Sequence, residues 1–220
     1  DTANAMNELS QLIGFEKDDS DIQKLNQAAG LDWISLDSRT ISILDKAEKV
    51  AQDSGGAFSP TIVPILNLWG FSGSNPSVPT QEKIEQFLPY VDYQNLRVDT
   101  QENTASLKMR YSSVSLDGVY NGALCESAVS SYQTSGVAAG IITVGNSVGV
   151  YGTKPDGSKW TLAVKNPDVT DTELLAIGTF TIESGYASTC QLEQNSFVQD
   201  GTTYYGILDP STGKPVETDL

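Results

Sequence analysis

Two short stretches hold residue types that could do chemistry. In VSLDGVYNGALCESA, from Val114 to Ala128, a Gly-containing turn runs directly into a helical pattern. A helix N-terminus presents free amides and the positive end of its dipole, which suits a phosphate. In GILDPSTGKP, from Gly206 to Pro215, Asp209, Ser211 and Thr212 crowd around Pro210. Asp-Pro and Thr-Gly favour tight turns, and the oxygens suit a ligand or a hard cation. Each stretch also reads as ordinary structure, a strand-to-helix turn in one case and a plain turn in the other. Gly145, Gly149 and Gly152 in GNSVGVYG invite a nucleotide-binding reading. A dinucleotide-binding glycine loop must open a helix, and this one continues into a strand, so it reads as a glycine-rich bend in a sheet.

What the chain lacks narrows the chemistry further. It contains no histidine, which removes Ser-His-Asp and Cys-His catalysis and His-ligated zinc. Its 28 acidic and 13 basic residues give a formal charge of −15, a field that repels nucleic acid and anionic membrane. A phosphate ligand would therefore need concentrated amides, a local Lys or Arg, or a metal ion. Cys125 and Cys190 are too few for a closed zinc site, and two free thiols are expected rather than a disulfide. No apolar run is long enough to span a bilayer. No signal peptide is visible, and the chain opens on a helical pattern, so it is expected to begin inside a longer protein.

The elements that must position these residues follow from periodicity. Helices are predicted over residues 3–13, after Ser20 or Asp19 with Ile22 and Leu25, and after Asp37 or Ser38 with Ile41, Leu44, Ala47 and Val50 on one face. The stretch GGAFSPTIVPILNLWGF, from Gly55 to Phe71, is apolar but punctuated by Pro60 and Pro64. It reads as neither regular helix nor central strand: a core-crossing loop pinned by Trp69, or one wall of a ligand pocket. A further helix is predicted after Thr80, two strands around Leu96–Val98 and Leu107–Met109, and a helix from Ala123 that stops at Gly136. GIITV reads as a short buried strand. Ser147 to Pro167 reads as a hairpin turning at Pro155 to Gly157, followed by strands at 174–181 and 204–208. Helices first and strands later argue for an α+β fold.

Taken together and in order, these stretches resemble the ApbE-type FAD:protein FMN transferases. The family's Ser-Asp-Ile-x-x-Leu-Asn is matched by Ser20, Asp21, Ile22, Leu25 and Asn26. Its Gly-Gly-Ala-Phe-Asp-Pro-Thr and Leu-Trp-Gly-Phe are matched from Gly55 to Thr61 and from Leu68 to Phe71, with Ser59 in place of Asp. Its Asp-Leu-Gly-Gly-x-x-Lys-Gly is matched by Ser115, Leu116, Asp117, Gly118, Asn121 and Gly122. Its Gly-Gly-Asn bend is matched by Gly145, Asn146 and Ser147, and its Thr-Ser-Gly-x-Tyr by Ser184, Gly185 and Tyr186. Its His-Ile-x-Asp-Pro-x-Thr-Gly is matched by Gly206, Ile207, Asp209, Pro210, Thr212 and Gly213.

The resemblance implies a single α+β domain over 1–220, related to the T-fold. Its helices pack on mainly antiparallel sheet, and a ligand cleft lies between two lobes. It implies FAD as substrate or ligand, with Ala57, Phe58, Ser59, Ser115, Gly118, Asn121, Ser184, Gly185, Tyr186, Asp209 and Thr212 at the flavin site. It implies magnesium, with the Gly118 backbone as one ligand and the others expected beyond Leu220. The implied reaction is transfer of FMN to a threonine hydroxyl on an acceptor flavoprotein or redox-complex subunit. The implied location is extracytoplasmic, as a periplasmic or cell-surface lipoprotein. Charged motif residues are replaced at Ser59, Ser115 and Asn121, and the family's His at Gly206. The alternative is therefore a catalytically weakened relative acting as a secreted flavin-binding or protein-interaction module.

Overall fold

The computed structural model describes residues 2–73, 75–166, 175–190 and 195–217. The helices are α1 (Thr2–Ile13), α2 (Asp21–Gln27), α3 (Ser38–Asp53), α4 (Val63–Trp69), α5 (Gln81–Phe87) and α6 (Asp117–Thr134). The strands are β1 (Ile34–Ser35), β2 (Leu96–Asp99), β3 (Thr104–Leu107), β4 (Gly140–Val144), β5 (Ser147–Tyr151), β6 (Trp160–Lys165), β7 (Ala176–Ile182), β8 (Gly185–Ser188), β9 (Ser196–Gln199), β10 (Thr202–Tyr205), β11 (Leu208–Asp209) and β12 (Lys214–Pro215). Every strand pair among them is antiparallel, as expected for this α+β chain. The chain divides into two compact units, Gln11–Val119 with Leu192–Leu220, and Asp1–Ser10 with Tyr120–Gln191.

In the first of these units, a three-stranded sheet in the order β1-β3-β2 meets α2 and α3. Its core contains Ile22, Leu25, Ile41, Leu44, Leu96, Ala105 and Leu107, all buried. Ser20 caps α2 by accepting from Gln23 N, and Asp37 caps α3 by accepting from Arg39 N. Both were among the predicted caps. Asp21 joins the two helices: its buried carboxylate accepts from Asp37 N at 2.9 Å and from Thr40 Oγ1 at 2.8 Å. The stripe on α3 differs from the prediction at one end. Ala51 is buried and Val50 is 47% exposed, because a 3.6-residue period carries the face from Ala47 to residue 51.

The stretch from Gly55 to Phe71 holds a helix where a loop was expected. Pro64 lies in the first turn of α4, where a missing N–H leaves no hydrogen bond unmade. Gly70, at φ 78°, ends the helix in a left-handed conformation that a side chain would disfavour. Trp69 sits in a second apolar cluster with Ile65, Ile84, Val91 and Leu208. Its ring lies 5.6 Å from Tyr204 and 6.1 Å from Phe71. Its Nε1 donates to Gly213 O at 2.8 Å. The strand expected over 204–208 is two, β10 and β11, parted at Gly206, whose N donates instead to Asn195 O.

In the other unit, β5 lies between β4 and β8, and β6 pairs with β7. The predicted hairpin between β5 and β6 therefore does not form. The turn itself does, with Gly157 N donating to Lys154 O. Trp160 Nε1 donates back to Gly152 O at 2.7 Å, so the start of β6 is fastened to the end of β5 without a ladder between them. The β4 strand is half-buried rather than buried, with Ile141 45% exposed, because it is the edge of its sheet. The β7 strand starts at Ala176, and the predicted first residue, 174, lies outside the described residues. Cys125 is buried and Cys190 exposed, and both are free thiols, as expected.

Asp21→Ala should leave Asp37 N and Thr40 Oγ1 without their acceptor. The expected loss is about 2 kcal/mol or more of unfolding free energy in a urea titration. A loss below about 0.5 kcal/mol would show that the carboxylate does not join α2 to α3.

Candidate functional site

The entry to α6 is built by backbone and side chain together. The Asn26 amide clamps Val114 from both sides, donating to its O at 2.9 Å and accepting from its N at 2.7 Å. Ser115 N then donates to Pro60 O at 2.9 Å, which holds the segment against the Gly55–Phe71 stretch. Ser115 Oγ accepts from Asp117 N at 3.1 Å, as a helix cap does. The helix starts at Asp117, earlier than predicted, so Gly118 and Asn121 belong to its first turns rather than to a turn before it. The Ser115–Asp117 hydrogen bond turns the chain into the helix at its first residue. Gly118 O, placed inside a helix, points along the axis toward the next turn.

Ser59 and Thr61 are buried, and both hydroxyls donate to Val91 O, at 2.7 and 3.0 Å. The Ser59 hydroxyl is thus used inside its own unit. Ala57 is exposed and Phe58 half-buried, with Phe58 N donating to Ser54 Oγ. A Cβ on Gly118 would come within 2.8 Å of Phe58 Cε2, so the absence of a side chain there is what lets the ring approach. The structure therefore brings Phe58, Ser59, Ser115 and Gly118 to one place.

Asp209 and Thr212 form a turn in the same unit. Asp209 Oδ1 accepts from Ser211 N at 2.8 Å and from Ser211 Oγ at 2.7 Å. The Ser211 hydroxyl, helped by the Ser211 and Thr212 amides, holds the Asp209 carboxyl below its ordinary value, with burial opposing. The Trp69–Gly213 hydrogen bond fastens this turn to the end of α4. A cavity of about 660 Å³ lies beside it, lined by Trp69, Val78, Ile84, Tyr204 and Lys214 among others. None of the residues expected to bind flavin lines this cavity.

The other unit holds the remaining expected residues. Asn121 Nδ2 donates to Asn146 Oδ1 at 3.0 Å, and Asn146 Nδ2 donates to Thr189 O. Gly185 and Tyr186 open β8, after the bend that contains Ser184. The Tyr186 ring lies over Gly149, its register partner on β5. Burial, then the Glu126 carboxylate, pushes the Tyr186 hydroxyl above its ordinary value. Burial likewise raises the Cys125 thiol, against its hydrogen bonds to the backbone of Val144 and Gly149. Asn26 and Asn146 are the residues whose roles the sequence motifs did not disclose. Each acts through a side-chain amide that bonds backbone far along the chain, which no local pattern encodes.

No group of three or more His, Cys, Asp or Glu side chains among the described residues could hold a metal ion. No helix among them is long and apolar enough to cross a membrane. A model of the ApbE family matches residues 1–220. The chain belongs to the ApbE family. It is 26% identical over 215 residues to a Vibrio cholerae protein named FAD:protein FMN transferase, covering 96% of this chain and 63% of that one. An Escherichia coli protein of the same name is 26% identical over 214 residues, covering 96% and 60%. This ApbE chain thus spans about 60% of the length of the curated relatives it matches. Among solved structures it is similar to the ApbE protein of Thermotoga maritima, with a TM-score of 0.84 and 29% identity over 97% of this chain and 70% of that one. The fold is also that of the apo flavinyl transferase ApbE of Pseudomonas stutzeri, with a TM-score of 0.82, 24% identity, and coverage of 98% and 66%.

Gly118→Ala should push the Phe58 ring away and destabilise the first unit by about 1–3 kcal/mol. Combining it with Phe58→Ala should cost less than the two single changes summed, because the ring it displaces is gone. Simple additivity in denaturant titrations would show that the two residues do not touch.

The depressed Asp209 carboxyl gives a pH prediction with a definite sign. Its contribution to stability is present above the unfolded-state carboxyl value and is lost as pH falls through its lower folded value. Wild type should therefore exceed Asp209→Asn in stability at neutral pH, with the gap closing in acid below about pH 4. A gap that widens in acid would overturn the assignment.

Proposed function

We propose that this chain binds FAD and transfers its FMN moiety to a threonine hydroxyl of an acceptor protein. The observation that carries this reading is the ApbE match over all 220 residues, together with relatives named for that activity. In the proposed reaction the threonine oxygen bonds to the FMN-side phosphorus, the bond from that phosphorus to AMP breaks, and the hydroxyl proton is released. Positioning and charge stabilisation dominate phosphoryl transfer, so the donors around the phosphates matter most.

This chain's own residues suggest a division of labour. The first turns of α6, an 18-residue helix capped by Ser115, offer amides and a positive dipole end to phosphate. Asn121 offers a neutral amide donor where the family carries a Lys. Phe58 supplies an aromatic face suited to a flavin ring. The described residues do not fit magnesium, since they form no acidic group able to hold it. The acceptor is a flavoprotein or redox-complex subunit that presents the threonine. The location we propose is extracytoplasmic, at the periplasm or on a lipid-anchored surface, to be checked by cell fractionation.

The test is incubation with FAD, magnesium and a threonine-bearing acceptor domain, followed by denaturing electrophoresis and in-gel flavin fluorescence. A covalent fluorescent acceptor band supports transfer. No band, with FAD still bound in a fluorescence titration, overturns transfer and leaves a flavin-binding module. Asn121→Lys should tighten FAD binding about tenfold, the effect of one charge-assisted contact of about 1.4 kcal/mol. Unchanged affinity would show that Asn121 does not face the phosphates.

A further inference from the structure

We propose that the outer face of the β1-β3-β2 sheet is a docking surface for a protein segment that presents a carboxylate beside an apolar side chain. The register places Ile34 opposite Ala105 and Arg97 opposite Ser106. Continued by one residue, it puts Trp33, Ser106 and Arg97 in one row across the three strands. Side chains alternate across a strand, so this row faces away from the core residues Leu96, Ala105 and Leu107. Arg97 reaches across Ser106, and its guanidinium carbon lies 4.9 Å from the centroid of the Trp33 ring. Ser106 is left 2% exposed beneath it.

Three observations mark this row as built for an acidic ligand. First, Arg97 Nε, a donor, and Ser106 Oγ, which can donate or accept, are both buried without a hydrogen-bond partner. Buried polar atoms are nearly always satisfied, and two unsatisfied together are conspicuous. Second, Arg97 forms no ion pair among the described residues, although the chain carries 28 acidic side chains. Third, the nearby carboxylates are turned onto their own backbone. Asp32 accepts from Trp33 N, and Asp99 accepts from the amides of Gln101 and Glu102.

Stacking on indole fixes the guanidinium plane and leaves it ready for a planar acid group. Trp33, 40% exposed, supplies an apolar surface next to the cation. Arg and Trp are the residue types enriched in protein-binding anchors, and here they stand together. The complementary partner is an Asp or Glu adjoining a leucine-like residue on another protein.

The three tryptophan indole N–H signals make the test direct. In a 15N-labelled sample, Trp69 and Trp160 are bonded to Gly213 O and Gly152 O and serve as internal controls. Trp33 is assigned by its loss in Trp33→Phe. Titration with the blocked peptide acetyl-Glu-Leu-Glu-amide at millimolar concentration should shift the Trp33 signal alone. Acetyl-Gln-Leu-Gln-amide should bind at least about tenfold more weakly, and Arg97→Ala should abolish the shift while leaving both control signals in place. Arg97→Lys keeps the charge without the planar stack, and should also weaken the shift. No shift with the acidic peptide, an equal shift with the Gln peptide, or a shift that survives Arg97→Ala would each overturn the proposal. An equal response to free acetate would assign the row to small carboxylates and overturn protein docking.

Discussion

The grip of Asn26 on Val114 sets where α6 begins. One side-chain amide satisfies both the N–H and the C=O of a residue 88 positions away. Buried backbone needs such partners when it leaves regular structure, and a side-chain amide can donate from its nitrogen while it accepts at its oxygen. With Val114 fixed, Ser115 meets Pro60 and caps the helix in the same step. Gly118 then falls opposite Phe58, where nothing larger than hydrogen fits without displacement. The placement of the aromatic ring, the helix start and the Gly55–Phe71 stretch thus descend from one pair of hydrogen bonds.

Much of this was legible in the chain itself because it depends on local rules. Caps at Ser20, Asp37 and Thr80 follow from short polar side chains placed before apolar periodicity. The antiparallel α+β character follows from the order of helical and alternating segments. The differences have two causes, one local and one distant. Pro64 was read as a breaker, whereas in a first turn it is neutral. Residues 147–167 were read as one hairpin, whereas strand partners far along the chain, β8 for β5 and β7 for β6, took the pairing. Gly206 was read as strand interior and instead parts two short strands. Partnership between distant segments leaves no trace in local periodicity.

The motif residues show a division between shape and charge. Residues that set backbone conformation, such as Gly70, Gly118 and Gly213, keep their family types. At the positions expected to meet phosphate or metal, this chain has Ser59, Ser115 and Asn121, all neutral. The hydroxyls of the first two serve internal bonds to Val91 O and to Asp117 N. Under the function proposed above, these three positions would meet a pyrophosphate with neutral donors in a chain of charge −15.

The division into two units has a consequence for how the protein is made. The second unit combines Asp1–Ser10 with Tyr120–Gln191, and the first is completed only by the segment from Leu192 onward. During synthesis the opening segment, including Thr2, whose hydroxyl bonds Ser131, must wait while residues 11–119 are added. At ribosomal speed that wait is roughly 5–20 s, long compared with helix formation. The second unit has all its residues once Gln191 is made, whereas the first still needs the segment from Leu192 onward. The apolar side of α1 therefore stays uncovered by its own unit until residues 120–191 have been made.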